Sequence, residues 1–528
     1  MTPKSQQAEG DVAVVISATN EADRMGAGLS DPVYQRRVRP ERMLRRDVHW
    51  LGRLAGGCLA LSIALIVIVG LLGPSAVQSP MPRERWHPPY WFTADPSRWL
   101  VTVLLLTALL TGAAGLLLGL RALRVGWSPN PRRLVAASVL SVIALLMVPA
   151  MGSSDHLMYA AYGRIAATGG DPYIYTVRQL AERGDPVGQA AQTIWKDTPS
   201  IYGPLGTAQQ WLAAKIAGPS THSIVFVLAL ISAAAFVITG LLLQRLAAGD
   251  QTTKARAALL WSLNPLLLYE IVNSAHIDGF AIVWAVAALI ALRRSAVLAG
   301  VFIGLACAVK ISFGLYVLAL LWALRHDLRR AGMMLAGGVA TLGVMYLPVG
   351  LHSLNQLGTA SQFVSFTSPW QLAVKPLAAL LGNGLARSVI GVLAVILMVI
   401  LVWLLAQTRL TRPGSSGRPD SRAISVQAAA IHAAAVLTFA WLLTAPYSLP
   451  WYDVAAWAPF ALLAATGFDG LLTARTTAMA CVCFPGPEFT FPAADVIAPM
   501  LAVLLLGIVL YRCGIPRRWQ PPPTMRPG

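Results

Sequence analysis

The sequence predicts an all-α polytopic membrane protein, and three observations carry that prediction. Of 528 residues, 56% are hydrophobic and 12% charged, against the roughly 25% charge of an ordinary soluble chain. Mean hydropathy is +0.61. The apolar residues come in solid blocks of about 15–25, rather than in the alternating pattern of a transmembrane barrel. A soluble globular protein is excluded. The formal net charge of +18 sits in short runs beside the apolar blocks. Charge so placed acts as a topology signal and as contact for anionic headgroups, so membrane lipids are expected partners and nucleic acid is not.

Residues 1–48 read as a disordered basic cytoplasmic tail, ending in the cluster Arg36, Arg37, Arg39, Arg42, Arg45 and Arg46. Residues 49–512 read as the transmembrane domain and 513–528 as a Pro/Arg-rich tail. Spans are expected near 51–73, 99–120, 134–151, 222–246, 256–271, 277–292, 295–309, 311–324, 331–350, 386–406, 426–445, 452–467 and 496–511. A short extra crossing within 471–484 would bring the count from 13 to 14 and return Arg512, Arg517 and Arg518 to the side of the other cations. Alternate loops carry the arginines and lysines: Arg121, Arg124, Arg132 and Arg133, then Arg245, Lys254 and Arg256, then Arg293 and Arg294, then Arg325, Arg329 and Arg330. By the positive-inside rule these loops and the N-terminus are cytoplasmic. Lys310 interrupts the apolar stretch 296–324, which has arginines at both ends. That pattern predicts a return of two short helices with Lys310 at the external tip.

The largest external loop, 152–221, has its own helical pattern at 155–167 and 205–217. Further external loops are 352–386 and 446–453. Five cysteines form no disulfide framework. No Walker motif, dinucleotide fingerprint or paired metal-ligand spacing is present, so no cofactor is expected, although a divalent metal is not excluded.

Acidic residues are scarce, and a minority gather near external helix ends: Asp155, Asp171, Glu270, Asp278 and Asp453. Asp155 opens a loop helix beside His156. Its carboxylate is positioned either to accept a hydroxyl proton as general base or simply to cap that helix behind Ser153 and Ser154. Asp278 follows His276 at the start of an apolar span, where an ionisable group has a partner or a task; a helix cap is the competing reading. Lys310 either snorkels to the interface or meets an anion, with phosphate the natural one. Trp370, Trp451 and Tyr452 are either an aromatic belt or a stacking surface for sugar rings.

The run Asp155-His-Leu-Met-Tyr-Ala-Ala-Tyr-Gly-Arg-Ile-Ala-Ala-Thr-Gly-Gly-Asp-Pro-Tyr173 resembles the external loop of C-type membrane glycosyltransferases. Ser274-Ala-His-Ile-Asp278, Ala308-Val-Lys310, Phe363-Val-Ser-Phe-Thr-Ser-Pro-Trp370 and Leu449-Pro-Trp-Tyr-Asp453 extend the likeness. Together they resemble the polyprenyl-phosphomannose-dependent α-(1→6)-mannosyltransferases of lipomannan biosynthesis over most of residues 50–510. The resemblance implies a polyprenyl-phosphomannose donor, a lipid-anchored α-(1→6)-mannan acceptor and an inverting reaction on the external face of the plasma membrane. It implies Asp155 as general base, with Lys310, His276, Asp278, Arg164, Tyr159, Trp370, Lys375, Tyr452 and Asp453 binding substrate. A transporter or flippase of a lipid-linked sugar, or a glycan ligase, is the alternative. Transporters commonly carry inverted repeats and mid-membrane ionisable groups, whereas here no repeat is evident and the polar groups gather at one face.

Overall fold

The computed structural model describes residues 32–191, 195–247, 249, 251–408, 422–483 and 494–514. No strand occurs among them. The chain divides into two units, Met1–Trp50 and Leu51–Gly528. In the first, residues 1–31 of the expected disordered tail lie outside the described residues. From Pro32 onward the backbone is helical. Most of the proposed C-terminal tail, 515–528, also lies outside the described residues.

The first helices are α1 (Pro32–Leu72), α2 (Arg98–Arg124) and α3 (Pro131–Leu146). The large loop follows with α4 (Asp155–Ala167), α5 (Val177–Glu182), α6 (Pro186–Ala190) and α7 (Pro204–Ala217). Then come α8 (Thr221–Leu246), α9 (Gln251–Ala257), α10 (Pro265–Leu267), α11 (Asp278–Ala291), α12 (Ala296–Val309), α13 (Gly314–Leu324) and α14 (Leu328–Tyr346). The last are α15 (Asn355–Ala360), α16 (Gln371–Leu381), α17 (Asn383–Gln407), α18 (Arg422–Thr444), α19 (Val454–Phe460), α20 (Phe468–Ala480) and α21 (Ala494–Gly514). Among the described residues six helices are long and apolar enough to cross a membrane alone, and two bent pairs raise the number to eight. The 13–14 expected spans are therefore not 13–14 straight helices. The expected spans at 256–271 and 277–292 form one of the bent pairs, turning by 119°. Its first half is wide-turned around Asn264-Pro265, where Asn264 caps the next turn through Leu266 N–H. Helix α19 has only 7 residues. Such broken backbone survives at membrane depth only where protein surrounds it, and residues 453–461 are all buried.

Loop contacts sort the molecule into two ends. At one end Arg256 and Arg124 share Asp469, Arg330 donates to Leu292 O, and Arg512 donates to Gly467 O. At the other, His87 meets Ser223, His352 meets Asp171, Trp195 packs on Phe363, and Ser365 N–H donates to Pro446 O. The two groups match the two sets of alternate loops read from the charges. Arg512 joins the first group, as an added crossing by α20 requires.

The Lys310 return has the expected reversal, and its two legs pack on different partners. Helix α12 runs alongside α14 in the same direction: Gly300 abuts Met334, and Gly304 abuts Gly338 and Thr341. The chain must therefore reverse through α13. That leg leans on α18 rather than on α12, and Tyr316 OH donates to Ala455 O. Gly300-x-x-x-Gly304 lets α12 and α14 backbones touch, the small-residue packing that replaces a hydrophobic drive between helices in lipid. A Cβ at Gly300 would overlap Met334 O, whereas one at Gly343 meets nothing within 4 Å. Overpacking a close contact costs typically about 1–3 kcal/mol. Gly300→Val should therefore lower the amount of monodisperse protein recovered in detergent, while Gly343→Ala should leave it unchanged. Equal recovery of both would remove this contact from the account.

Candidate active site

Three chain crossings meet around Asp155. Before α4, the segment 149–151 is fastened to the 272–278 turn: Asn273 Nδ2 donates to Pro149 O (3.0 Å) and Ser274 Oγ to Met151 O (2.5 Å). Ser232 on α8 holds the same turn through Ile271 O and His276 O. The third element is the end of α12. Gly203, just before α7, lies so close that a Cβ there would overlap Ala308 O, and its N–H donates to Val309 O at 3.0 Å. Glycine at that position brings Tyr202 and the Lys310 tip together.

Asp155 is the first residue of α4, and the cap position belongs to Ser154, which makes no side-chain cap bond. The carboxylate accepts from Tyr159 OH at 3.4 Å, while its own N–H donates to Ser153 Oγ. The capping alternative therefore has no bond to rest on among the described residues. Tyr159 OH also lies 3.3 Å from His276 Nδ1, and that nitrogen is 3.9 Å from the carboxylate. His276 is wholly buried and stacks on Trp451, with centroids 3.8 Å apart and planes at 14°. Asp278 receives both bonds from Lys310 Nζ, at 2.8 and 2.9 Å. The ammonium also sits 3.6 Å over the Tyr452 ring, a favourable cation–π placement.

Asp155 and Lys310 line one cavity of about 410 Å³, with Tyr202, Tyr447, Tyr452 and Trp195 among its walls. Burial pushes the Asp155 carboxyl up to about 6; the Lys310 ammonium opposes that rise, and Asp278 adds to it. Near neutral pH the group is ionised, yet it holds a proton better than an exposed carboxylate. Neighbouring His156 is buried and pushed down to about 4 by burial, so it stays neutral beside the site.

Among the residues that the sequence singled out, Asp155, Lys310 and Tyr452 face the cavity. Tyr159, His276 and Asp278 stand behind them and hold them. Four others are not brought to the cavity wall. Arg164 pairs with Asp185 at 2.8 Å. Trp370 donates through Nε1 to Thr444 O, and Lys375 is exposed on α16. Asp453 is fully buried, bonded to Arg475 and Thr476. Tyr202 and Trp195 were missed; an aromatic directly before the Gly203-Pro204 helix start was the available signal for Tyr202.

Fold and cavity define a polytopic helical membrane protein whose largely apolar, aromatic-walled chamber brings a carboxylate and an ammonium together. The α-(1→6)-mannopyranosyltransferase family model, N-terminal domain, matches residues 57–326, just over half of the chain. The chain belongs to that family, and its class is mannosyltransferase. The matched segment contains Asp155, Tyr159, His276, Asp278 and Lys310. No curated protein and no solved structure matches the chain.

A reaction that needs the Asp155 carboxylate should speed up as pH rises through about 6 and level off above. The Tyr159 hydrogen bond lowers the Asp155 value, so Tyr159→Phe should move the acid limb to higher pH. Measured rate–pH profiles of mannose transfer decide this; an unmoved limb would detach Tyr159 from Asp155.

Proposed function

We propose that this enzyme transfers mannose from polyprenyl-phosphomannose to an α-(1→6)-mannan chain on a lipid anchor, at the external face of the plasma membrane. The observation carrying the reading is the presence of Asp155 and Lys310 on one cavity wall. Such a reaction needs one base for the incoming hydroxyl and one cation for the departing phosphate. The acceptor 6-hydroxyl attacks the anomeric carbon, its proton passes to Asp155, and the bond to the phosphate oxygen breaks. Polyprenyl phosphate leaves with its new charge facing Lys310. A β-linked donor then yields an α-linked product in a single displacement, with no sugar bound covalently to the protein. Asp278 holds the ammonium in place through two bonds, and Tyr447 offers a ring to sugar, the Tyr452 ring being taken up by Lys310 and Trp441.

Asp155→Asn keeps size and helix-start character but removes the proton acceptor, a contribution typically of about 10²–10⁴ in rate. The expected result is normal abundance with mannose transfer reduced by about that factor. Transfer at the parent rate would move the base elsewhere, with Asp278 next to test. Lys310→Ala should also slow transfer strongly, and Lys310→Arg should keep part of the rate because a cation is retained. Full donor use by Lys310→Ala at equal abundance would return Lys310 to a snorkelling role.

A further inference from the structure

At the end of the molecule opposite Asp155 lies a second, larger cavity of about 820 Å³. It is walled by the 128–131 linker, the first turn of α3, the last turn of α8 and the start of α9. Helix α8 sets the separation. Its first residues contact the loop around His87, and its 26 residues span about 39 Å. Midway along the same helix, Ser232 holds the turn behind Asp155, so the second cavity lies about 20 Å further along α8 from that turn.

Three cations line this cavity, Arg132, Arg245 and Lys254, and no acidic side chain is among its described lining residues. None of the three has an ion pair or a side-chain hydrogen bond among the described residues. At the same end Arg124, Arg256, Arg330 and Arg512 do donate to protein carbonyls or carboxylates. Like charges converging on one concavity repel unless an anion occupies it. Gln244 and Gln251 add neutral polar groups, although the Gln244 amide already donates to Lys254 O. Apolar surface continues from the cavity along the helices. Leu241 and Ile238 on α8, and Leu140 and Ile143 on α3, are all about half exposed or more. Leu241 itself is a wall residue.

We propose that this cavity holds the phosphate headgroup of an anionic phospholipid, with its acyl chains along the α3 and α8 strip. Basic pockets between membrane helices are suited to phosphate headgroups, and the apolar strip distinguishes a lipid from a soluble anion. The site is independent of the mannosyl chamber and shares no residue with it.

The test uses the full chain purified in a neutral detergent, with thermal unfolding followed as phosphatidylglycerol, phosphatidylcholine or inorganic phosphate is added. Phosphatidylglycerol should raise Tm, and the other two at equal concentration should not. Arg132→Gln, Arg245→Gln and Lys254→Gln should each raise the phosphatidylglycerol needed for half the shift about 5-fold. Together they should raise it on the order of 100-fold. The single variants serve if the triple variant is not recovered as a monodisperse species. Mannose transfer in phosphatidylcholine should be the same for the variants and the parent. An equal Tm shift with phosphatidylcholine, an equal shift with phosphate alone, or an unchanged response in the variants would each overturn the proposal.

Discussion

The Lys310 ammonium, held between the Asp278 carboxylate and the face of Tyr452, is the contact on which the chamber depends. A cation inside a membrane protein is tolerated when it is paired, and costly when its partner is removed. Here the pair joins the break between α12 and α13 to the first residue of α11. The ring ties both to the 446–453 loop. The same lysine lies near enough to Asp155 to oppose the rise in its pKa. One ion pair therefore fixes where the cation sits and tunes the carboxylate across the cavity.

That pair is held in register by packing that polar chemistry alone does not supply. Gly300 and Gly304 let α12 press against α14, and Gly203 lets the start of α7 press against the end of α12. On the far side of the chamber, Arg475 anchors the loop bearing Tyr447 and Tyr452. It donates to Asp453 and to Ser448, whose carbonyl also accepts from Ser365 and Thr367. Close helix contacts and buried ion pairs do the work that a large hydrophobic core does in water.

The sequence made the two-sided arrangement legible, because positive charge marks alternate loops and apolar blocks mark the helices between them. Asp155 and Lys310 were legible too, since an ionisable residue beside or inside an apolar run is rare enough to stand out. Tertiary pairing was not. Arg164 looked free, yet its partner Asp185 is 21 residues away in the same loop. Asp453 looked available, but Arg475 on α20 consumes it. Trp195 carries no local mark that separates a chamber wall from an interfacial aromatic, and Tyr202 carries only its place before Gly203-Pro204. Helix length was overread as well: the wide turns around Asn264-Pro265 and the 7-residue α19 are set by their surroundings, not by hydropathy.

In the proposed reaction one carboxylate and one cation carry out a single displacement. The configuration of the product tests it most directly. Purified enzyme given β-linked polyprenyl-phosphomannose and a short α-mannoside would be assayed by NMR of the new linkage, and the protein by intact mass. Single displacement gives an α-(1→6) linkage and an unmodified protein mass at every stage of turnover. A β-linked product, or a protein heavier by one mannosyl residue during turnover, would contradict it.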